Sequence, residues 1–240
     1  MTTETVHYSL RDRIATIQID DGKRNALSPQ VLAEIYKAFD RAEADHATVV
    51  MTGREDVFSA GFDLNVMKRG GLNALCMLRA GYALPARVLS YPYPVIAACN
   101  GHVMAMGVFL MLSADYMIGC RGDFRIAANE VAIGLTMPRV AAAMLKHRLT
   151  PAAYQRAVVL SEFFDVETAL SNGFFDKVVN SDELMHCAES HARELQELDL
   201  DAHAASKRRI RAALIRRIRF NIPLDLLDAI RMGLRRRGPR

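Results

Sequence analysis

The chain has 240 residues, of which 51% are apolar and 24% charged, a composition ordinary for a soluble globular protein. No apolar run approaches the roughly 20 residues that span a bilayer, and MTTETVHYSL lacks the basic start and apolar core of a secretory signal, so the chain reads as cytoplasmic. The net charge of +4 is unevenly spread: between Lys207 and Arg240 twelve basic residues are opposed only by Asp225 and Asp228.

VHYSL and IATIQI alternate with period two around Arg11-Asp12, which predicts an N-terminal hairpin. Ser28 is placed to cap a helix running to about Ala44, with Leu32, Ile35, Tyr36 and Phe39 on one face. ATVVMTG predicts a short buried strand, followed by a loop, FSAGFDL, and a helical stretch interrupted at Gly70-Gly71. YPYPVIAACNG predicts a second buried strand, MGVFLMLSA an apolar helix and DYMIGC a third strand. Thr150-Pro151 opens a further helix as N-cap and first residue. Helices are expected near Glu167–Ser171 and Asp182–Leu195, on either side of FFDKVV. Past Asp201 the chain reads as basic helix with an apolar stripe of Ile210, Leu214 and Ile218. Strands alternating with helices predict an α/β fold with an all-helical C-terminal region.

Cys76, Cys99, Cys120 and Cys187 are widely spaced and form no C-x-x-C pair, so they are expected to be reduced and mostly buried. No Cys/His cluster has ligand spacing, and no metal site is expected. The basic tail suits a phosphorylated ligand, a nucleic acid, an anionic membrane surface, or simply a solvated helix face or subunit contact. Its single aromatic, Phe220, and the lack of a binding motif argue against nucleic acid. Membrane-surface association through RRIRF and GLRRRGPR is the minor alternative.

Two turns stand out chemically. FSAGFD and CNGHVMAMG each follow a predicted strand and precede a helix, with small residues that let a ligand approach the backbone. If they converge, their N–H groups form an oxyanion hole. The third feature is Glu130, set among small and apolar residues in RIAANEVAIG. It is either a surface acid or a base in a dry pocket. Ser59, His102 and Asp115 supply the side-chain types of a hydrolase triad, but no G-x-S-x-G elbow surrounds Ser59.

VFSAGFDLNVM, YPVIAACNGHVMAMG, SADYMIG and NEVAIGLTMP, with KRNAL before them and FFDKVV after, resemble successive signatures of the crotonase (enoyl-CoA hydratase/isomerase) superfamily, from about Asp21 to Val179. The resemblance implies an α/β crotonase spiral of ββα repeats. Residues 1–195 would be the core carrying an acyl-CoA site, and 196–240 a helical oligomerisation region. It further implies a homotrimer or dimer of trimers, with coenzyme A as part of the substrate and no separate cofactor.

By position, the resemblance makes Ala60 and Met106 the two backbone donors to a thioester enolate. The family has glycine where this chain has Met106, so a turn requiring positive φ would strain the methionine. It places Lys23 and Arg24 near the coenzyme A nucleotide and Lys68 within reach of a phosphate. Ala26, Ser59, Gly61, Leu64, Gly107 and Phe109 are further substrate-binding positions, as is Asp63, which also suits a helix cap. Lys207, Arg208, Arg209 and Arg211 are candidates for the 3′-phosphate, across a subunit boundary.

Hydratases of the family carry two glutamates. Here the first position is Phe109 and the second is Glu130. One carboxylate suffices to move a double bond from position 3 to position 2, taking a proton from C2 and returning it at C4. The expectation is therefore an enoyl-CoA isomerase with Glu130 as proton shuttle. A hydratase, and a catalytically weak acyl-CoA-binding protein, are the alternatives.

Overall fold

The computed structural model describes residues 4 to 237, and side chains as far as residue 233. The terminal arginine cluster of GLRRRGPR lies outside the described side chains. Strands β1 (Val6–Arg11) and β2 (Ile14–Ile19) form the predicted antiparallel hairpin, with Arg11 opposite Ile14. Its two turn residues, Asp12 and Arg13, both have positive φ (52° and 57°), the twist that suits a two-residue hairpin. After β3 (Ala26–Leu27), the Ser28 side chain accepts the Val31 amide and caps α1 (Pro29–Ala44), a contact typically worth about 1 kcal/mol. Leu32, Ile35 and Phe39 are buried on the expected face.

The chain then repeats one pattern. β4 (Thr48–Thr52) leads to β5 (Asp56–Ser59), β6 (Gly61–Phe62), α2 (Leu64–Arg69) and α3 (Gly71–Leu89). β7 (Val95–Cys99) leads to β8 (Gly101–Met104) and α4 (Met106–Met111). β9 (Tyr116–Cys120) leads to β10 (Ile126–Ala127) and α5 (Arg139–Arg148). There follow α6 (Pro151–Leu160), capped by Thr150, then α7 (Val166–Ser171), β11 (Lys177–Val179), α8 (Leu184–Gln196) and α9 (Leu200–Arg237). In each round the first strand enters a six-stranded sheet of order β1-β2-β4-β7-β9-β11, parallel apart from the hairpin. The second enters a small parallel sheet, β10-β8-β5. This is the ββα repeat.

The large sheet is covered on both faces, which explains why its strands read as continuous apolar runs. Met51, Val95, Ala97 and Met117 belong to the main core, while Val50, Ile96, Ala98 and Ile118 point the other way and meet Leu184, Ala188 and Ala192 of α8.

Several expectations are corrected. FSAGFDL is not a loop but two strands, β5 and β6, on either side of Ala60. A strand, β8, follows Asn100-Gly101 where the helix was expected to come next, and α5 was not anticipated. Strands of two to four residues are too short to show a period. The stripe on α9 holds at Ile218, which is buried, and at Leu214, which packs against the core, but not at Ile210. Ile210 is 72% exposed, and the inward face also carries Lys207, Arg211 and Ile215. Lys207 and Arg211 are buried because Asp115 meets them at 2.6 and 2.8 Å. Of the cysteines only Cys99 and Cys120 are buried.

Candidate active site

The first turn is fixed from beneath by Ser59. Its buried hydroxyl donates to the Asn25 carbonyl at 2.8 Å and accepts the Gly61 amide at 3.2 Å. The Ala60 amide donates to the Arg24 carbonyl at 3.0 Å, so the donor expected from position is already occupied. The Asp63 amide donates to Leu27 at 3.4 Å, within the pairing of β6 with β3. Alternate residues of a strand face opposite ways. The Phe62 amide, between those of Gly61 and Asp63, therefore points away from β3, and Phe62 lines the cavity described below.

In the second turn, Met106 is the first residue of α4, so its amide has no acceptor within the helix. The strain expected at Met106 falls one residue earlier. Ala105 has φ 48° and ψ −124°, while Met106 is not among the positive-φ residues. Such a conformation costs about 1–3 kcal/mol, and it is held in place by the Ala105 amide donating to Ala127 of β10 at 2.8 Å.

The two turns converge, which spacing alone did not establish. A Cβ built on Gly61 would stand 2.8 Å from Ala105 Cβ and 3.1 Å from the Met106 nitrogen. One built on Gly107 would meet the Ser59 carbonyl at 2.7 Å. Gly61, at φ +85°, and Gly107 are there because nothing larger fits between the turns.

Beside them lies a cavity of about 360 Å³ whose lining includes Ala60, Phe62, Leu64, Tyr82, Ala105, Phe109 and Glu130. Glu130 begins the turn after β10 and is only 6% exposed. Its Oε2 has no hydrogen-bond partner. Burial pushes its carboxyl up to about 7, against a smaller opposing effect of its own backbone amide. Phe109, almost wholly buried, presents an apolar ring from α4, and α4 contains no acid.

Two other carboxylates reach the cavity, both from α9, and both are committed. Asp225 accepts from the Arg139 guanidinium at 3.1 Å and Asp228 at 2.6 Å. Tyr82 also faces it. Burial first, then the nearby Asp225 and Glu130 charges, keep its phenol protonated. Sequence reading missed Phe62, Tyr82, Arg139, Asp225 and Asp228. Phe62 lies inside a quoted motif, but the α9 acids lie more than 160 positions further along the chain and leave no local signal.

The remaining candidates divide. Asp63 accepts the Asn65 and Val66 amides and caps α2. Lys23 and Arg24, both exposed, precede β3, and Ala26 is its first residue. Lys68 is exposed and lines an adjoining cavity. Lys207 and Arg211, engaged with Asp115, are not available to a phosphate, while Arg208 and Arg209 are exposed. The triad types are scattered: Ser59 is bonded to Asn25, His102 accepts the Arg125 amide, and Asp115 holds the cations of α9. Among the described residues there is no group of three metal-ligating side chains, and no helix is long and apolar enough to cross a membrane.

The family model for enoyl-CoA hydratase/isomerase matches residues 10–223. The chain belongs to this family. A probable enoyl-CoA hydratase of Mycobacterium avium, EchA17, is 32% identical over 199 residues, covering 81% of this chain and 76% of that protein. Among solved structures, an enoyl-CoA hydratase/isomerase family protein from Pseudomonas syringae superposes with a TM-score of 0.91 at 40% identity, covering 93% of this chain and 97% of the other. The apo structure of an Mtb enoyl-CoA isomerase superposes with a TM-score of 0.87 at 44% identity, covering 91% and 96%. The chain is thus an enzyme of the crotonase superfamily, with the crotonase fold.

Proposed function

We propose that this enzyme shifts the double bond of an enoyl-CoA from position 3 to position 2, with Glu130 as the proton carrier. The observation that carries the reading is the state of the three carboxylates in the cavity. Asp225 and Asp228 are held by Arg139, whereas Glu130 is buried, has an unpartnered oxygen, and titrates near neutrality. A group with that titration is suited both to removing a proton and to returning it. The amides of Phe62 and Met106 receive the thioester oxygen as the dienolate forms, each worth roughly 3–4 kcal/mol to the developing charge. Glu130 takes the proton from C2 and delivers it to C4. The Phe109 ring occupies the side from which a second carboxylate would direct water, which favours isomerisation over hydration. Solved structures of similar identity are named as an isomerase in one case and as hydratases in others, so the reading rests on the site itself.

Coenzyme A is the carrier of the acyl group, and no separate cofactor takes part. The assay is conversion of 3-decenoyl-CoA to the conjugated 2-isomer, compared with hydration of 2-decenoyl-CoA. Faster hydration than isomerisation would sink the reading. The trimer is proposed from the family and from the apolar side chains α9 leaves exposed, Ile210 and Phe220 among them. A monomer mass in sedimentation equilibrium would contradict it.

A further inference from the structure

Helix α9 forms part of the wall of the catalytic cavity through Asp225, Asp228, Ala229 and Met232. The same stretch of helix lines an adjoining, mostly apolar cavity of about 520 Å³ through Ala229, Ile230 and Met232. Met67, Leu78, Leu135, Ala229 and Met232 line both, so the two spaces lie back to back across these side chains.

Asp225 bonds this stretch of α9 to the start of α5. The Asp225 carboxylate, 3% exposed, accepts the Arg139 amide at 3.0 Å, the Val140 amide at 2.9 Å and the Arg139 guanidinium at 3.1 Å. It thereby caps the N-terminus of α5, where the residue in the capping position, Pro138, has no side-chain acceptor. Arg139 continues to Asp228 at 2.6 Å, adding a second tie one turn further along α9. Pro223, two residues before Asp225, lies inside α9 and lacks the amide that would bond back along the helix. The segment beyond Pro223 thus has one bond fewer to the helix before it, and its ties to α5 add to the packing of α9 against α3.

We propose that Asp225 is a positioning residue that latches α9 onto α5 and so sets the shape of the acyl-binding wall, tightening it in particular for long acyl chains. The chain-length effect rests on the reading of the cavity as an acyl-CoA site. The latch itself does not. A short acyl group fits near the thioester between the two turns and Glu130, whereas a long one must lie along the residues that α9 contributes.

The test uses full-length protein, the variants Asp225→Ala, Asp225→Asn and Arg139→Met, and saturated butanoyl-CoA and decanoyl-CoA, which bind without turnover. Amide hydrogen exchange is followed in the peptides covering 139–142 and 224–233. In Asp225→Ala, exchange in both peptides is expected to accelerate while the large sheet stays protected, with Asp225→Asn intermediate because its remaining oxygen still accepts. Dissociation constants for decanoyl-CoA should rise about tenfold and those for butanoyl-CoA less than about twofold. Unchanged exchange, or equal weakening for both chain lengths, would overturn the proposal. If Asp225→Ala does not fold, Arg139→Met leaves the two backbone bonds to Asp225 in place and should give the same pattern at smaller amplitude. Wild-type protein that binds neither thioester would overturn the acyl-CoA reading and the chain-length effect with it, while exchange alone still decides the latch.

Discussion

Gly61 and Met106 are 45 positions apart in the chain, yet a Cβ added to Gly61 would come within 3.1 Å of the Met106 nitrogen. The first and second turns are therefore packed backbone to backbone, and the amides of Phe62 and Met106 are placed by that contact. Gly61→Ala should disrupt it twice over, through the clash with Ala105 and through a φ of +85° that alanine resists. The expected result is a fall of about a hundredfold in kcat/KM, as for loss of one oxyanion donor. Steady-state kinetics within tenfold of wild type would show that the turns tolerate the displacement.

The titration of Glu130 links activity to stability. An ordinary glutamate loses its proton near 4.5 and Glu130 near 7, so between those values the folded state holds more protons than the unfolded one. Stability from this group is therefore fully present below about 4.5 and declines as pH rises to about 7, by roughly 3 kcal/mol. Glu130→Gln removes the charge, so it should raise Tm at pH 8 and change it little at pH 4.5. Wild-type kcat/KM should rise with pH through about 7 as the base form appears. A variant that melts lower at pH 8, or a flat pH profile, would contradict this account of the buried carboxylate.

In the proposed mechanism Phe109 stands where a second carboxylate would direct water. Phe109→Glu should bring measurable hydration of 2-enoyl-CoA and reduce isomerisation about tenfold, since two like charges in one dry site raise each other's proton affinity. Product analysis by chromatography distinguishes the two outcomes. No hydration above the wild-type level would mean that the ring is not what keeps water out.

Asp115 holds Lys207 and Arg211 inside the protein and also accepts the Val95 amide at 2.7 Å. Asp115→Ala would leave two buried cations without their counter-charge, a change expected to cost about 3–5 kcal/mol. Urea denaturation should show this as a lower midpoint. A loss below about 1 kcal/mol would mean the pair behaves as an exposed one.

The parts of the fold that were legible in sequence are those with strong local chemistry. Ser28 and Thr150 announced their helices through capping, and the hairpin through alternation. The short strands β6 and β10 were not, since two residues carry no periodicity and exist only by pairing with distant partners. In the site, Glu130 stood out as an acid among apolar residues, and its burial agrees with that. The donor was placed at Ala60 because position alone does not reveal that Arg24 consumes its amide. The inward cations of α9 were hidden for a similar reason. Buried charges are rare enough that Lys207 and Arg211 read as surface until Asp115 is found beneath them.

The most direct test of the central claim is the conversion of 3-decenoyl-CoA by wild-type protein and by Glu130→Gln, followed by the absorbance of the conjugated thioester. The account predicts turnover by the wild type and a loss of at least about a thousandfold in the variant, with substrate affinity retained within a few-fold. Isomerisation that survives in Glu130→Gln, or a wild type that hydrates 2-decenoyl-CoA faster than it isomerises the 3-enoyl substrate, would contradict it.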